Sequence, residues 1–394
     1  MANRAVPAPE LVPHPDTAPL VEDTTPRVVV ASQWQLMWWK FRRHRLAMVS
    51  LIVIVFLYIV AVFAGFFAPQ ATASYNRVYT QAPPQTIHWF DNGVFAPFVY
   101  AYTQETDPRT YRRSYTIDEA TKIPLGFFVR GDEYQVGLHS IPIDGIRNMA
   151  VTWDVHLFGP INAGEPFYVL GADDVGRDIL SRLIYASQVS LSVGLVGVAL
   201  SLTLGVFLGG ISGLIGGWVD NLIQRLIEVI RSVPDIPLWM ALATAVPPRW
   251  DPVYVYFGIT VILSLLRWTD MARVVRGKFL SLREEDFVMA AELDGVSRSR
   301  IITRHMVPSF LSHIIASVTL AIPGMILGET ALSFLGLGLR APVVSWGVML
   351  QDALNISTIA LMPWLLIPGL AVVVTVLAFN FLGDGLRDAA DPYH

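Results

Sequence analysis

The chain alternates between long apolar runs and polar stretches, and the runs are long enough to matter more than any single residue. About 20 consecutive apolar residues cross a bilayer as a helix. The first such run is Leu46–Phe67, free of charge. It follows Trp38-Trp39-Lys40-Phe41-Arg42-Arg43-His44-Arg45, a basic cluster with aromatic anchors, which by the positive-inside bias puts the N-terminus in the cytoplasm. An uncharged run from Leu183 to Val219 predicts a second, overlong span. Leu222–Val246 predicts a third, interrupted by Glu228, Arg231, Asp235 and the Pro234/Pro237 pair. Tyr254–Ala272, Phe310–Leu335 and Ile359–Leu382 complete a set of six.

The polar stretches fit that arrangement. Residues 1–27 are Pro-rich and polar, and predict a disordered tail leading to the basic segment that ends at residue 45. No cleavable signal sequence is apparent there. Residues 68–182 contain no run long enough to span, so they predict an external insert that is at least partly β, ending in an elbow into the second span. Residues 183–394 form the remaining membrane core. Arg273–Arg304 holds seven basic residues (Arg273, Arg276, Lys278, Arg283, Arg298, Arg300 and Arg304), which places that loop inside. Both termini are then cytoplasmic. The predicted class is an all-α polytopic membrane protein with six transmembrane helices and a β-containing external insert.

Composition narrows the chemistry. Of 394 residues, 53% are hydrophobic and 15% charged, with a mean hydropathy of +0.50, against about 25% charged in soluble domains. The absence of cysteine excludes disulfides and thiolate metal sites. No GxxxxGK[ST] pattern occurs, so no P-loop binds ATP in this chain. Gly205, Gly209, Gly213 and Gly217 recur every four residues, a spacing that lets helices approach closely. Gly210-Ile211-Ser212-Gly213 also has the form of an intramembrane serine protease motif, with His313 as an imaginable base, but helix packing is the better account of those glycines. The Asp- and Gly-rich stretch 171–182 lacks the spacing of a Ca²⁺ loop and reads as a structural turn. The aromatic residues of the insert (Trp89, Phe90, Phe95, Phe98, Tyr100, Tyr102, Tyr111 and Tyr115) predict a small β core.

The loop at residues 281–308 is polar and helix-prone although it joins two spans. Ser281 and Glu284 have capping-box spacing, predicting a helix over Glu284–Asp294 that Gly295 breaks, then a second helix over Arg298–Val307 ending at Pro308. Phe287, Ala290, Ala291 and Asp294 fall at i, i+3, i+4 and i+7, with Ala290-Ala291 as a flat patch against which a partner can pack. A helix lying on the bilayer would instead need a bulky apolar face without so many acidic neighbours. Of the charged groups within spans, Asp235 and Glu329 are candidates for lining a pathway, against plainer readings as a helix cap and a buried structural carboxylate paired with Arg340. Glu228 with Arg231, and Arg267 with Asp270, have i, i+3 spacing and predict pairs within their own helices.

Ala290-Ala291, Gly295 and Pro308 have the order and spacing of the "EAA" loop of ABC-transporter permeases. Residues 170–182 (LGADDVGRDILSR), 277–283 (GKFLSLR), 329–338 (ETALSFLGLG), 345–347 (SWG) and 379–388 (FNFLGDGLRD) resemble the oligopeptide/dipeptide/nickel branch of binding-protein-dependent importer permeases. The resemblance implies the type I ABC importer fold and a place in a bacterial or archaeal cytoplasmic membrane. It implies four kinds of partner: a second homologous permease, two ATP-binding cassette subunits that carry the ATP and Mg²⁺, an external substrate-binding protein, and the bilayer. Nucleic acid is not among them, and no cofactor or metal is expected in the chain itself. The loop would couple the ATPases to the membrane through Phe287, Ala290, Ala291, Asp294, Gly295 and Arg298. The family's leading Glu is Met289 here, with Glu292 or Glu285 as substitutes. Cargo is expected to be peptide, with oligosaccharide as the alternative; a stand-alone channel or a protease is the remote one. The insert 68–168 is longer than the family's usual external segment.

Overall fold

The computed structural model describes residues 33–109, 113–137, 151–247, 249–354 and 356–390. The tail expected at residues 1–27, and Tyr111, lie outside them. A basic amphipathic helix α1 (Gln33–Arg43) leads through His44 into α2 (Arg45–Val62), where the His44 imidazole caps the new helix by accepting from the Ala47 amide at 3.1 Å.

The region between α2 and the next long apolar helix is an antiparallel meander of β1 (His88–Asp91), β2 (Val94–Thr106), β3 (Arg113–Gln135) and β4 (Thr152–Pro160). Strand β3 is long because it serves two partners: its first half pairs with β2 and its second half with β4. Val99, Ala101, Ile123, Leu125 and Phe167 form its core. The aromatic expectation divides. Phe98 is buried, whereas Trp89, Phe90 and Phe95 are exposed at the β1–β2 tip, Trp89 stacked on Phe95 and Phe90 edge-on to it, because so small a sheet has no second layer to cover them. His156 ties β4 to the end of the first span, its Nδ1 lying 2.5 Å from the Ala68 carbonyl oxygen and its Nε2 3.0 Å from that of Asp132.

The elbow is a carboxylate-centred turn. Asp173, fully buried, accepts from the amides of Val175 and Arg177 (both 2.9 Å), from Arg177 Nε (2.7 Å) and from Arg182 Nη1. Asp178 caps α3 (Ile179–Ile215), accepting from Ser181 N at 2.7 Å and Ser181 Oγ at 2.6 Å. Burial outweighs these bonds and pushes the Asp178 carboxyl up to about 6. Carboxylates of Asp173, Asp174 and Asp352 converge, but Arg177 and Arg182 already occupy Asp173. Asp173 thus organises the backbone of the turn and joins it to Arg182 of α3.

Next come α4 (Gly217–Arg231), α5 (Asp235–Ala243), α6 (Pro252–Leu282), α7 (Asp286–Leu293), α8 (Leu311–Phe334), α9 (Trp346–Gln351) and α10 (Ile367–Ala390). Among the described residues, five helices are long and apolar enough to cross a membrane: α2, α3, α6, α8 and α10 with its preceding turn. The third expected span is instead two short helices, α4 and α5, because Pro234 holds its backbone extended (φ −57°, ψ 139°) and has no N–H to continue the ladder. Two boundaries also move. Helix α6 runs through Leu282, ten residues past the expected end, and α10 extends through Ala390, so residues 379–388 are helical.

Helix α3 packs along α6 on its glycines. A Cβ on Gly205 would fall 2.5 Å from Cβ of Met271, one on Gly213 would fall 2.7 Å from Cβ of Phe279, and one on Gly209 would overlap the Ala272 carbonyl. Gly217 departs from the series: it opens α4 with φ +58° and open space around it. Asp220 on α4 accepts from Ser212 Oγ (2.5 Å) and in bidentate fashion from Arg276 Nε and Nη2 (2.5 and 2.6 Å), joining α3, α4 and α6. Ser212 is fully buried with its hydroxyl given to Asp220, so the protease reading has no nucleophile.

Candidate coupling surface and translocation face

The segment between α6 and α8 is a built unit. Helix α7 starts at Asp286, not Glu284: Ser281 lies inside α6, and the cap position is Glu285, whose side chain makes no capping bond. The capping box therefore does not form. Termination follows the expectation closely. Gly295 sits at φ +70°, Val296 N–H donates to Ala291 O (3.1 Å) and Gly295 N–H to Glu292 O (3.0 Å), which is a Schellman arrangement. Val296 then packs against the cluster beneath.

That cluster fixes which side of α7 faces inward. Val288 and Ala291 are buried against Phe279 of α6 and against Ile301, Ile302, Met306 and Phe310. The four expected residues therefore divide: Ala291 anchors the helix, while Phe287, Ala290 and Asp294 are exposed. The outer face carries more apolar surface than the alanine pair promised, with Phe287 42%, Met289 44% and Leu293 89% exposed. Met289, at the position of the family's Glu, stands on this face. Glu285, Asp286, Glu292 and Asp294 surround it, and Arg298, Arg300 and Arg304 follow, all exposed. Leu293 was missed by the sequence reading; its signal was an apolar residue directly before the Asp-Gly stop.

The second helix expected at Arg298–Val307 is wider than an α-helix. Ile301–Met306 forms a π-helical turn in which Val307 N–H reaches Ile302 O. The wider turn absorbs Pro308, which does not end the helix; the bend comes at Phe310 (φ −125°, ψ 25°), before α8. Phe279 and Phe310 meet edge to face at 5.7 Å beneath α7. The packed cluster thus joins α7 to both flanking membrane helices.

Glu329 does not line a pathway. It is fully buried on α8 and accepts from Ser333 Oγ (2.8 Å), Ser345 Oγ (2.7 Å) and Ser190 Oγ (3.5 Å). Ser190 is on α3, and Ser345 caps α9 by accepting from Val348 N. Arg340, the partner expected for this carboxylate, donates its Nε to Gly336 O instead. The carboxylate clamps three helices.

Asp235 stands elsewhere, on an exposed face at the break between α4 and α5. Residues 231–237 are all exposed. Of the two expected intrahelical pairs, Arg267–Asp270 forms, while Glu228–Arg231 does not: Arg225 takes Glu228 (2.7 Å), and Arg231 crosses to Asp270 of α6. Arg267 lies 4.0 Å from Asp270 and stacks its guanidinium 5.5 Å from the Trp239 ring of α5. Irregular backbone and charge at membrane depth are tolerated only against protein or water. One charged group facing lipid costs about 2.5–3.5 kcal/mol on insertion scales. A span built from α4 and α5 therefore has to turn this face to protein or water.

Comparison with known proteins agrees with this geometry. Residues 205–393 match the binding-protein-dependent transport system inner membrane component family, and residues 32–84 match the N-terminal transmembrane domain of oligopeptide transport permease C. The oligopeptide transport system permease protein of Haemophilus influenzae is 39% identical over 241 residues, covering 61% of this chain and 74% of that protein. Its counterpart in Escherichia coli K12 is 41% identical over 234 residues (58% and 73%). The one in Bacillus subtilis is 29% identical over 362 residues (92% and 90%), a match long enough to extend into the external insert. The chain belongs to the oligopeptide/dipeptide branch of the ABC importer permeases and is a multi-pass inner-membrane protein.

Proposed function

We propose that this chain is one of two permease subunits of an ATP-driven peptide importer, forming half of the translocation pathway. Its relatives carry oligopeptide and dipeptide transport in their names, and nothing supports oligosaccharide as cargo. The observation that carries the reading is α7: a short helix held by its own inner face and presenting Phe287, Met289 and Leu293 to the cytoplasm, which a channel has no use for. Two ATP-binding cassette subunits, holding ATP and Mg²⁺, supply the missing contact. Phe287, Ala290, Asp294 and Arg298 touch the ATPase; Ala291 and Gly295 hold the helix in place.

In this reading α4 and α5 together form the third of six spans, both termini are cytoplasmic and the meander is external, where a substrate-binding protein delivers the cargo. The broken segment 231–237 with Asp235 and the α6 charges lines the pathway against the second permease. ATP shifts an alternating-access equilibrium by binding one state better than the other. Affinity capture of tagged chain from its native membrane, followed by mass spectrometry, tests this. The expected result is co-recovery of two ATPases and a second permease. A chain recovered alone, stable and monodisperse, contradicts the importer.

A further inference from the structure

The charged face on α6 contains a cation that the fold does not use up. Arg231 and Arg267 share one carboxylate, Asp270, and Asp270 is drawn into close contact with Arg231 while Arg267 stays 4.0 Å away. The Arg267 Nε is buried without a hydrogen-bond partner. Trp239 stacks on the guanidinium, and Gly324 of α8 leaves the room it occupies, since a Cβ there would lie 2.9 Å from Nη2. The group is held by its face and its side chain is 29% exposed. Arg267 lies within the fourth apolar run, five residues before its expected cytoplasmic end at Ala272, or roughly 7 Å at ~1.5 Å per residue.

We infer that Arg267 is a transit site for the carboxylate of the transported peptide, on the cytoplasmic half of the pathway. The inference rests on the peptide-pathway reading above. The stacked guanidinium keeps its full charge, and the part of it left exposed is a charge-assisted donor for a carboxylate. Two cations against one anion leave a net positive charge to be met from outside the chain. Peptides of varied sequence share few chemical features, and the α-carboxylate is one that every unmodified peptide carries. The site is suited to passage: it offers a single cation on a half-open face and no closed cage, so an anion can enter and leave.

The chain has no cysteine, so Arg267→Cys introduces a unique thiol in it. The variant is assembled with its partners in proteoliposomes. It is then labelled with a methanethiosulfonate reagent that adds either a trimethylammonium or an uncharged group of similar size. Uptake of radiolabelled trialanine is measured with binding protein present. The expected result is a loss of about tenfold in Arg267→Cys and in its uncharged adduct, the scale of one modest charge-assisted contact, and recovery in the cationic adduct and in Arg267→Lys. Equal uptake by the two adducts overturns the carboxylate site but leaves the pathway standing. Failure of both water-soluble reagents to label the introduced thiol removes this face from the pathway. Absence of trialanine uptake by the unmodified transporter counts against the peptide reading itself.

Discussion

The residues of the coupling helix show what spacing conveys and what it omits. Phe287, Ala290, Ala291 and Asp294 were grouped by helical period, yet Ala291 belongs with Val288 on the buried side. Both sides of α7 are apolar, so period alone could not choose between them; only the cluster of Phe279, Ile302 and Met306 does. Mutations should follow this division. Ala290→Arg should block ATPase recovery in affinity capture at unchanged membrane yield. Ala291→Arg should lower the yield of chain itself, because burying an unpaired guanidinium costs several kcal/mol. Equal behaviour of the two would refute the assignment of faces. Gly295 was legible, because a stop after a helical run at φ +70° is what glycine permits. Gly295→Ala should cost roughly 1 kcal/mol locally and reduce transport while the chain still inserts, measured as uptake per inserted copy.

At the level of elements, the apolar runs located five helices, and the Pro234/Pro237 pair flagged the interruption of the third run but not its division into two short helices with residues 231–237 exposed. Charge pairing was legible only within a helix. Arg231 found Asp270 because α4 lies against α6, and Glu329 found serines because α3 and α9 converge on α8. Glu329→Gln should leave transport near normal, and Glu329→Leu should lower the thermal stability of the purified complex by stranding three hydroxyls, each worth about 1–3 kcal/mol when buried unpaired. Transport lost in the Gln variant at full stability would restore a pathway role. The cap of α3 has a pH dependence. Its carboxyl is raised to about 6 in the folded protein from about 3.9 when exposed, so its stabilising preference for the proton is complete below pH 4 and lost by about pH 6. The stability difference between native chain and Asp178→Asn should change across that window and stay flat above it, read from melting temperatures in detergent.

Across the whole molecule, sequence motifs identified the family, and the fold supplied the parts that motifs cannot: an inward anchor for α7, a π-turn that accommodates Pro308, and a charged face that a lipid boundary does not tolerate. The insert was legible as β-containing, but its register was not, because β3 changes partner midway. The central claim is that α7 touches the ATPase. Leu293→Cys, at the most exposed apolar position of α7, tests it directly in membranes holding the complete transporter, using a short maleimide–succinimide linker that joins the cysteine to a neighbouring lysine. The account predicts a cross-linked product of this chain with an ATPase subunit, and none from Phe56→Cys, exposed in the charge-free run of α2. A Leu293→Cys chain that the maleimide labels in full, yet that never joins an ATPase, would contradict it.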